Sequence, residues 1–332
     1  MIDSYSSIRS AAMLLALAAT AVACAKQPDN TESSAEVLAA TGNPDSARVM
    51  NRNESAAGSE RVAMIDGFKT PESVRWDADQ QVWFVSNIDG NPSAKDGNGF
   101  IARLGVDGKV DSMHFIQGGR GGAMLHAPKG MALKGDTLAI ADIDALRFFD
   151  RRTGASLGSV NLPQAVFAND VALGGDGAWY ITDTGIRFGA GGMTKPGRDR
   201  LFRVSGRKAT QLLVSDSLGA PNGIAWDAAN SRWILGGFNG PSIYAMKTGE
   251  KSFTPIATGP GGYDGVEVLP DGRVLVTSWA DSSVHVLKGT TLTRMITGVP
   301  KPADIGVDPA RMLIAIPLFE KNRVEVYKIP AN

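Results

Sequence analysis

The sequence predicts an all-β protein, a six-bladed β-propeller with four strands in each blade. Short apolar runs rich in β-branched and aromatic residues recur six times after residue 60, and such runs are typical of buried strands. Turn sequences of the Asp-Gly and Pro-Asp-Gly kind precede most of them, and these favour tight hairpins because they tolerate positive φ. A repeat of roughly 40 to 55 residues with four strands indicates a propeller. The six runs span residues 82–85, 138–141, 179–182, 233–235, 274–277 and 313–316.

A third strand follows each run, and a fourth follows in five of the six repeats. The sixth repeat lacks a fourth strand, and an unpaired edge promotes aggregation. We expect residues 61–65, which precede the first repeat, to supply the missing strand and close the ring. A β-sandwich is the alternative, but it explains the period less well and gives residues 61–65 no role. The third strands are predicted at 100–104, 146–149, 201–204, 243–246, 284–287 and 324–327.

Residues 1–24 have the pattern of an export signal. Arg9 precedes an apolar run at 13–23 that ends in small residues and is shorter than a membrane-spanning helix requires. The motif Ala-Val-Ala-Cys at 21–24 resembles a bacterial lipoprotein cleavage site, in which Cys24 becomes the lipidated first residue. A plain secretory signal with an incidental cysteine is the alternative. We predict an exported, periplasmic lipoprotein that contacts the membrane through a lipid on Cys24.

The remaining chain divides into a linker and one domain. Residues 25–60 are rich in small and polar side chains, so they are predicted to be a disordered linker, and residues 61–332 form the propeller. Acidic and basic residues are equal in number, 34 of each, which gives no basic field for nucleic acid. We expect a monomer whose partner is a small-molecule substrate.

Polar side chains stand just ahead of four predicted innermost strands. They are Glu72, Asn169, Asn222 and Asp264. A radial arrangement of the repeats brings these four residues together on one axis. Two carboxylates and two amide oxygens suit a hard cation such as Ca²⁺, with Zn²⁺ and Mn²⁺ as alternatives.

Three further residues are predicted near this axis. Lys129 and Asp304 begin the second and sixth inner segments, and their opposite charges allow them to pair. His126 lies just before the second inner strand, where it is either a general base or a structural residue. Two glycine-rich loops, 87–98 and 184–200, return to the same face and are expected to carry substrate contacts.

Four motifs occur in order at the propeller spacing: PESVRWD at 71–77, NDVAL at 169–173, PNGIAWD at 221–227 and YDGV at 263–266. Together they resemble the motifs of the SMP-30/gluconolactonase-like six-bladed propellers, a group that includes paraoxonase-like and diisopropylfluorophosphatase-like calcium enzymes. The resemblance implies one calcium, or another divalent ion, held by Glu72, Asn222 and Asp264. It makes Asn169 a further ligand or a substrate-orienting residue.

These residues predict a metal-dependent hydrolase of the lactonase or ester type. The ion would polarise the carbonyl oxygen, and Asp264 would orient or deprotonate water while bound to the metal. Lys129 is expected to help bind an anionic substrate. No clear counterpart appears for the arginine that gluconolactonase members use to bind sugar, so the substrate stays open. The alternatives are a phosphotriesterase-type hydrolase and a non-catalytic exported scaffold that binds a ligand or a protein.

Overall fold

A computed structural model describes residues 59–331 of the chain. The predictions for the export signal, for Cys24 and for the linker up to residue 58 concern residues outside this range. Within residues 59–331 no helix is long and apolar enough to cross a membrane. The described residues form six four-stranded antiparallel sheets, which are the blades of the predicted propeller.

The strands follow one another along the chain, blade by blade. The first strand is β1 (Arg61–Asp66). Blade 1 contains β2 (Pro71–Asp77), β3 (Val82–Asn87), β4 (Phe100–Gly105) and β5 (Val110–Gln117). Blade 2 contains β6 (Pro128–Lys134), β7 (Thr137–Asp142), β8 (Ala145–Asp150) and β9 (Ser156–Asn161). Blade 3 contains β10 (Ala168–Leu173), β11 (Trp179–Asp183), an inserted hairpin of β12 (Arg187–Gly189) and β13 (Gly192–Thr194), β14 (Asp199–Ser205) and β15 (Lys208–Ser215).

The second half of the ring repeats this order. Blade 4 contains β16 (Pro221–Asp227), β17 (Arg232–Gly237), β18 (Ser242–Lys247) and β19 (Thr254–Thr258). Blade 5 contains β20 (Tyr263–Val268), β21 (Val274–Ser278), β22 (Ser283–Lys288) and β23 (Thr291–Thr297). Blade 6 contains β24 (Gly306–Asp308), β25 (Leu313–Leu318), β26 (Arg323–Lys328) and, as its outer strand, β1.

The ring is closed by strand β1, as predicted. It pairs antiparallel with β26, with Ala63 opposite Val326 and Ile65 opposite Val324. Blade 6 is therefore built from both ends of the propeller sequence. The pairing covers the edge of β26 that would otherwise expose unpaired backbone groups.

The innermost strands share an irregularity near their first residue. Pro71, the first residue of β2, pairs with Asn87 at the end of β3, and the register then shifts before pairing resumes at Ser73. The strands β6, β10, β16 and β20 show the same shift after their first residue. In blade 6 an isolated bridge joins Pro302 to Leu318, ahead of β24. This pairing makes Pro302 the equivalent of Pro71. Glu72 follows Pro71 and Ala303 follows Pro302, so both lie at the position of the bulge.

The hydrophobic core lies mainly between neighbouring blades. One buried cluster joins blades 2 and 3, and others join each further adjacent pair around the ring. Trp83, Trp179 and Trp233, in the second strands of blades 1, 3 and 4, each belong to one of these clusters and are buried. These tryptophans are therefore packing residues of the blade interfaces.

Candidate active site

The second residues of five inner strands meet in one cavity on the axis. They are Glu72, Lys129, Asn169, Asn222 and Asp264, and each is 5% exposed or less. The cavity, which is called the axial cavity below, encloses about 390 Å³ of empty space, part of it open to solvent. It is lined by Glu72, Ile88, Pro92, Lys129, Phe167, Asn169, Thr184, Ile186, Phe188, Asn222, Phe238, Asp264, Trp279 and Phe319.

Glycines let the inner strands approach closely enough to bring these residues together. A Cβ atom on Gly223, next to Asn222, would lie 2.0 Å from the carbonyl oxygen of Asp264 in the neighbouring blade. A Cβ atom on Gly130 would lie 2.1 Å from the Asp170 carboxylate. The Pro-Asn-Gly and Pro-Lys-Gly motifs thus combine a side chain for the cavity with a backbone position that only glycine fits.

Three oxygen atoms of the axial cavity are buried and have no hydrogen-bond donor among residues 59–331. They are Glu72 Oε2, Asn169 Oδ1 and Asp264 Oδ1. The amide nitrogen of Asn169 is already used, because it donates to Thr184 Oγ1 at 2.9 Å. A buried acceptor without a partner is costly, so three such acceptors from different blades fit a cation bound between them.

The pKa values of Glu72 and Asp264 also favour a cation bound between them. The pKa of Glu72 is raised well above its usual range by burial and by the nearby charge of Asp264. Burial and the charge of Asp304 likewise raise the pKa of Asp264. A divalent cation would offset both effects. In the described part of the chain no three His, Cys, Asp or Glu side chains form a metal cluster, so a bound ion would depend on the amide oxygens as well.

Lys129 is buried at the base of the same cavity. Its Nζ donates to the carbonyl oxygens of Ala127 at 2.9 Å and Pro92 at 3.1 Å, and it lies 4.1 Å from the ring centre of Phe167. Burial lowers the pKa of Lys129 to about 8, although the charge of Glu72 acts in the opposite direction. The ammonium group is thus held by neutral groups, close to a carboxylate that it does not contact directly.

The predicted pairing of Lys129 with Asp304 is wrong. The bridge from Pro302 to Leu318 makes Ala303 the equivalent of Glu72, so Asp304 lies one position further along the strand. Its carboxylate accepts a hydrogen bond from Ser73 Oγ at 2.5 Å and lies 3.7 Å from Arg75 Nη2. Asp304 therefore belongs to a deeper layer of the axis and not to the ring of residues that lines the cavity.

His126 does not line the axial cavity. Its ring Nδ1 accepts a hydrogen bond from the backbone N–H of Gly97 at 3.1 Å, and its own backbone N–H donates to the Asp142 carboxylate at 3.2 Å. The structure uses this imidazole to fix the loop after β3. A general base at His126 gains no support from the geometry.

The two long loops meet over the cavity, on the face where they were predicted. Asn91 Nδ2 donates to the carbonyl oxygen of Phe188 at 3.2 Å, and the backbone N–H of Phe188 donates to Ser93 Oγ at 2.9 Å. Pro92, Ile186 and Phe188 of these loops line the cavity. The inserted hairpin β12–β13 thus carries an aromatic side chain into the site.

A further set of cavity residues was not predicted from the sequence. Ile88, Thr184, Phe238, Trp279 and Phe319 each follow directly after the second strand of a blade. In the first four, the backbone N–H donates to the carbonyl oxygen of the residue just before the inner strand of the same blade, at 2.8 to 3.2 Å. In Phe319 it donates at 3.2 Å to the carbonyl oxygen of Lys301, the residue before Pro302. Their common place in the repeat, two or three residues after each predicted second strand, is the signal that identifies them.

Comparison with known proteins agrees with the six-bladed propeller fold. Residues 70–305 match the family model described as the SMP-30/gluconolactonase/LRE-like region. A gluconolactonase from Xanthomonas campestris has a similar structure, with a TM-score of 0.63 and 16% identity over 86% of this chain and 98% of that chain. A luciferin-regenerating enzyme gives a TM-score of 0.59 with 12% identity over 79% and 91% of the two chains. Virginiamycin B lyase from Staphylococcus aureus gives 0.55 with 12% identity over 80% and 99%.

No functionally curated protein matches the sequence. The family model spans well over half of the chain, and its matched residues include Glu72, Lys129, Asn169, Asn222 and Asp264. The chain belongs to the SMP-30/gluconolactonase/LRE-like family.

Proposed function

We propose that this protein is a divalent-metal-dependent hydrolase that opens a lactone or ester of a small molecule in the axial cavity. The observation that carries the proposal is the set of three buried oxygen atoms, Glu72 Oε2, Asn169 Oδ1 and Asp264 Oδ1, that lack a donor within residues 59–331. The ligand set of the bound ion would be completed by Asn222. Oxygen ligands of this kind favour Ca²⁺. Membership of the family supports the lactonase type of reaction.

When bound, such a cation supplies a Lewis acid that polarises the carbonyl oxygen and stabilises negative charge on it. Asp264 is the group that accepts a proton from the attacking water. Burial and the charge of Asp304 raise the pKa of Asp264, so its carboxylate takes up a proton more readily than an exposed aspartate does.

Lys129 binds and orients the substrate, whereas Asn169 contributes its oxygen to the ion. An ammonium group has three N–H donors, and two of those on Lys129 are used by backbone carbonyl oxygens. The third is available to an oxygen atom of the substrate. Asn169 is fixed by Thr184, whose hydroxyl in turn donates to the Pro221 carbonyl oxygen at 2.8 Å.

The proposal is tested by lactone and ester hydrolysis together with metal analysis of the purified protein. We expect one divalent ion per chain, loss of activity with a chelator, and recovery when Ca²⁺ is restored. Asp264→Asn should lower kcat by at least about a hundredfold, which is the scale of a lost general base. Activity that survives both the chelator and Asp264→Asn would contradict the metal-hydrolase function. A parallel assay with paraoxon separates carbonyl from phosphoryl substrates, and a stabilising ion without turnover would favour the scaffold.

A further inference from the structure

The wall of the axial cavity is mainly aromatic above its polar base. Phe167, Phe188, Phe238, Trp279 and Phe319 line it and are called the aromatic wall below. Trp279 lies at the centre of one group, with ring centres 5.1 Å from Phe238 and 5.2 Å from Phe319. Phe167 and Phe188 form a second pair at 5.8 Å. All except Phe167 are only half-buried, so their ring surface remains available to a ligand.

Few polar groups of the cavity remain free for hydroxyl groups of a ligand. The Thr184 hydroxyl and the Asn169 amide nitrogen are hydrogen-bonded to each other, and the Thr184 hydroxyl also donates to a backbone carbonyl. Lys129 retains one donor, and the buried Trp279 Nε1 has no acceptor among residues 59–331, so two donors remain for a ligand. The unpartnered oxygens of Glu72 and Asp264 are the atoms that hold the ion in the proposed function. A polyhydroxylated ring would therefore place most of its hydroxyl groups against hydrocarbon, where a lost hydrogen bond is costly.

We infer that the site takes a lactone or ester whose non-reacting part is flat and apolar, such as an aryl-fused lactone, in preference to a polyhydroxylated sugar lactone. The inference rests on the proposed function, because it names the substrate class of that reaction. The aromatic wall determines specificity by covering the apolar part of the substrate. The base of the cavity holds the reacting carbonyl group.

The test compares two matched pairs of ligands with the full chain loaded with Ca²⁺. Dihydrocoumarin and glucono-δ-lactone are compared by kcat/KM, and their lactam counterparts, dihydroquinolinone and gluconolactam, by calorimetric binding. We expect a preference for the aryl member of at least about tenfold in both measurements, the scale on which an apolar pocket discriminates. Equal or stronger binding and turnover of the sugar members would overturn the inference.

Variants of the aromatic wall provide the second arm. Phe238→Ser and Phe319→Ser should each reduce kcat/KM for dihydrocoumarin and the affinity for dihydroquinolinone by about tenfold, with smaller effects on the sugar ligands. Phe115→Ser is the matched control, since Phe115 is a half-buried phenylalanine of β5 outside the cavity. Phe238→Leu and Phe319→Leu, which keep an apolar side chain, should give intermediate values and serve if the serine variants do not fold.

The outcomes separate this inference from the function on which it rests. If no lactone or ester is hydrolysed but dihydroquinolinone still binds selectively, the hydrolase proposal fails and the apolar ligand class stands. If lactones are hydrolysed without any preference for the aryl member, the hydrolase stands and the inference fails. Unchanged values in Phe238→Ser and Phe319→Ser would also contradict it.

Discussion

A shift of one residue along an inner strand determines whether a side chain lines the axial cavity. Glu72 and Asp304 are both buried acids in inner segments, and yet they lie in different layers because the strand pairing places Asp304 one residue further along. Asp304 bonds to Ser73 and lies near Arg75, whose guanidinium also pairs with Glu267. Glu72 has no such cationic contact, and one of its oxygens lacks a partner among the described residues. This difference distinguishes a candidate ligand from a structural acid.

The first prediction concerns Glu72 as a ligand of the proposed ion. Glu72→Gln removes one of the two carboxylate charges from the ligand set, so its affinity for Ca²⁺ should fall by at least about tenfold. The measurement is bound metal per chain, together with the rise in Tm on adding Ca²⁺. Glu320→Gln is the control. Glu320 directly follows Phe319, but it is exposed, pairs with Lys301 and does not line the cavity. Equal metal binding by Glu72→Gln and the wild type would contradict the assignment.

Individual elements were predictable to the extent that each carried its own local pattern. The second strands are short apolar runs bounded by turn residues, and all six occur in the structure. The strand at 61–65 was predictable because blade 6 lacked an outer strand, and β1 fills that place. These inferences needed the repeat period and the pairing requirement of an edge strand, both of which are visible in one sequence.

Two features of the axial cavity were not obtained from the sequence: the equivalent of Glu72 in blade 6 and the aromatic wall. Pro71, Pro128 and Pro221 each directly precede a cavity residue, which makes Ala303, after Pro302, the equivalent of Glu72; Asp304 was predicted in that place because it is acidic. The aromatic wall was missed because Phe238, Trp279 and Phe319 stand alone after their strands, without a run or a periodicity. Their shared place, two or three residues after each predicted second strand, becomes evident when the blades are superimposed by their backbone hydrogen bonds.

The second prediction concerns the close approach of strands β16 and β20. In Gly223→Ala the new methyl group would meet the Asp264 carbonyl oxygen at 2.0 Å, so the strands must separate. We expect a loss of about 1 to 3 kcal/mol in the free energy of unfolding, the usual cost of overpacking, and weaker Ca²⁺ binding because Asn222 and Asp264 move apart. Urea unfolding and metal titration measure the two effects.

Gly189→Ala is the control for this variant. No described atom lies within 4 Å of the Cβ position at Gly189, and its φ is not in the left-handed region. It should leave both the stability and the affinity for Ca²⁺ unchanged. If Gly223→Ala behaved in the same way, the contact between β16 and β20 would not be what sets the spacing of the two ligands.

Residues 59–331 form a ring whose core is divided among the blade interfaces, so closure at blade 6 affects the complete axis. The third prediction tests this closure at Ile65 of β1, which is 1% exposed in the cluster between blades 6 and 1. Ile65→Ala should lower the free energy of unfolding by about 2 to 4 kcal/mol. The control Val62→Ala, at a half-buried position of the same strand, should cost clearly less. Urea unfolding measures both losses. If Ile65→Ala cost no more than the small loss expected for Val62→Ala, β1 would contribute little to closure.

The last prediction concerns where the molecule is held in the cell. We propose that the chain is exported and anchored through Cys24, because the Ala-Val-Ala-Cys motif follows an apolar run preceded by Arg9. A lipid at this position would tether the propeller through the segment that separates Cys24 from β1. In an expressing bacterium the wild type should sediment with membranes and carry acyl chains detectable by mass spectrometry of its N-terminal peptide. Cys24→Ser should move the protein to the soluble fraction, whereas Ser33→Ala should not. A wild-type protein found without acyl chains in the soluble periplasm would favour a plain secretory signal.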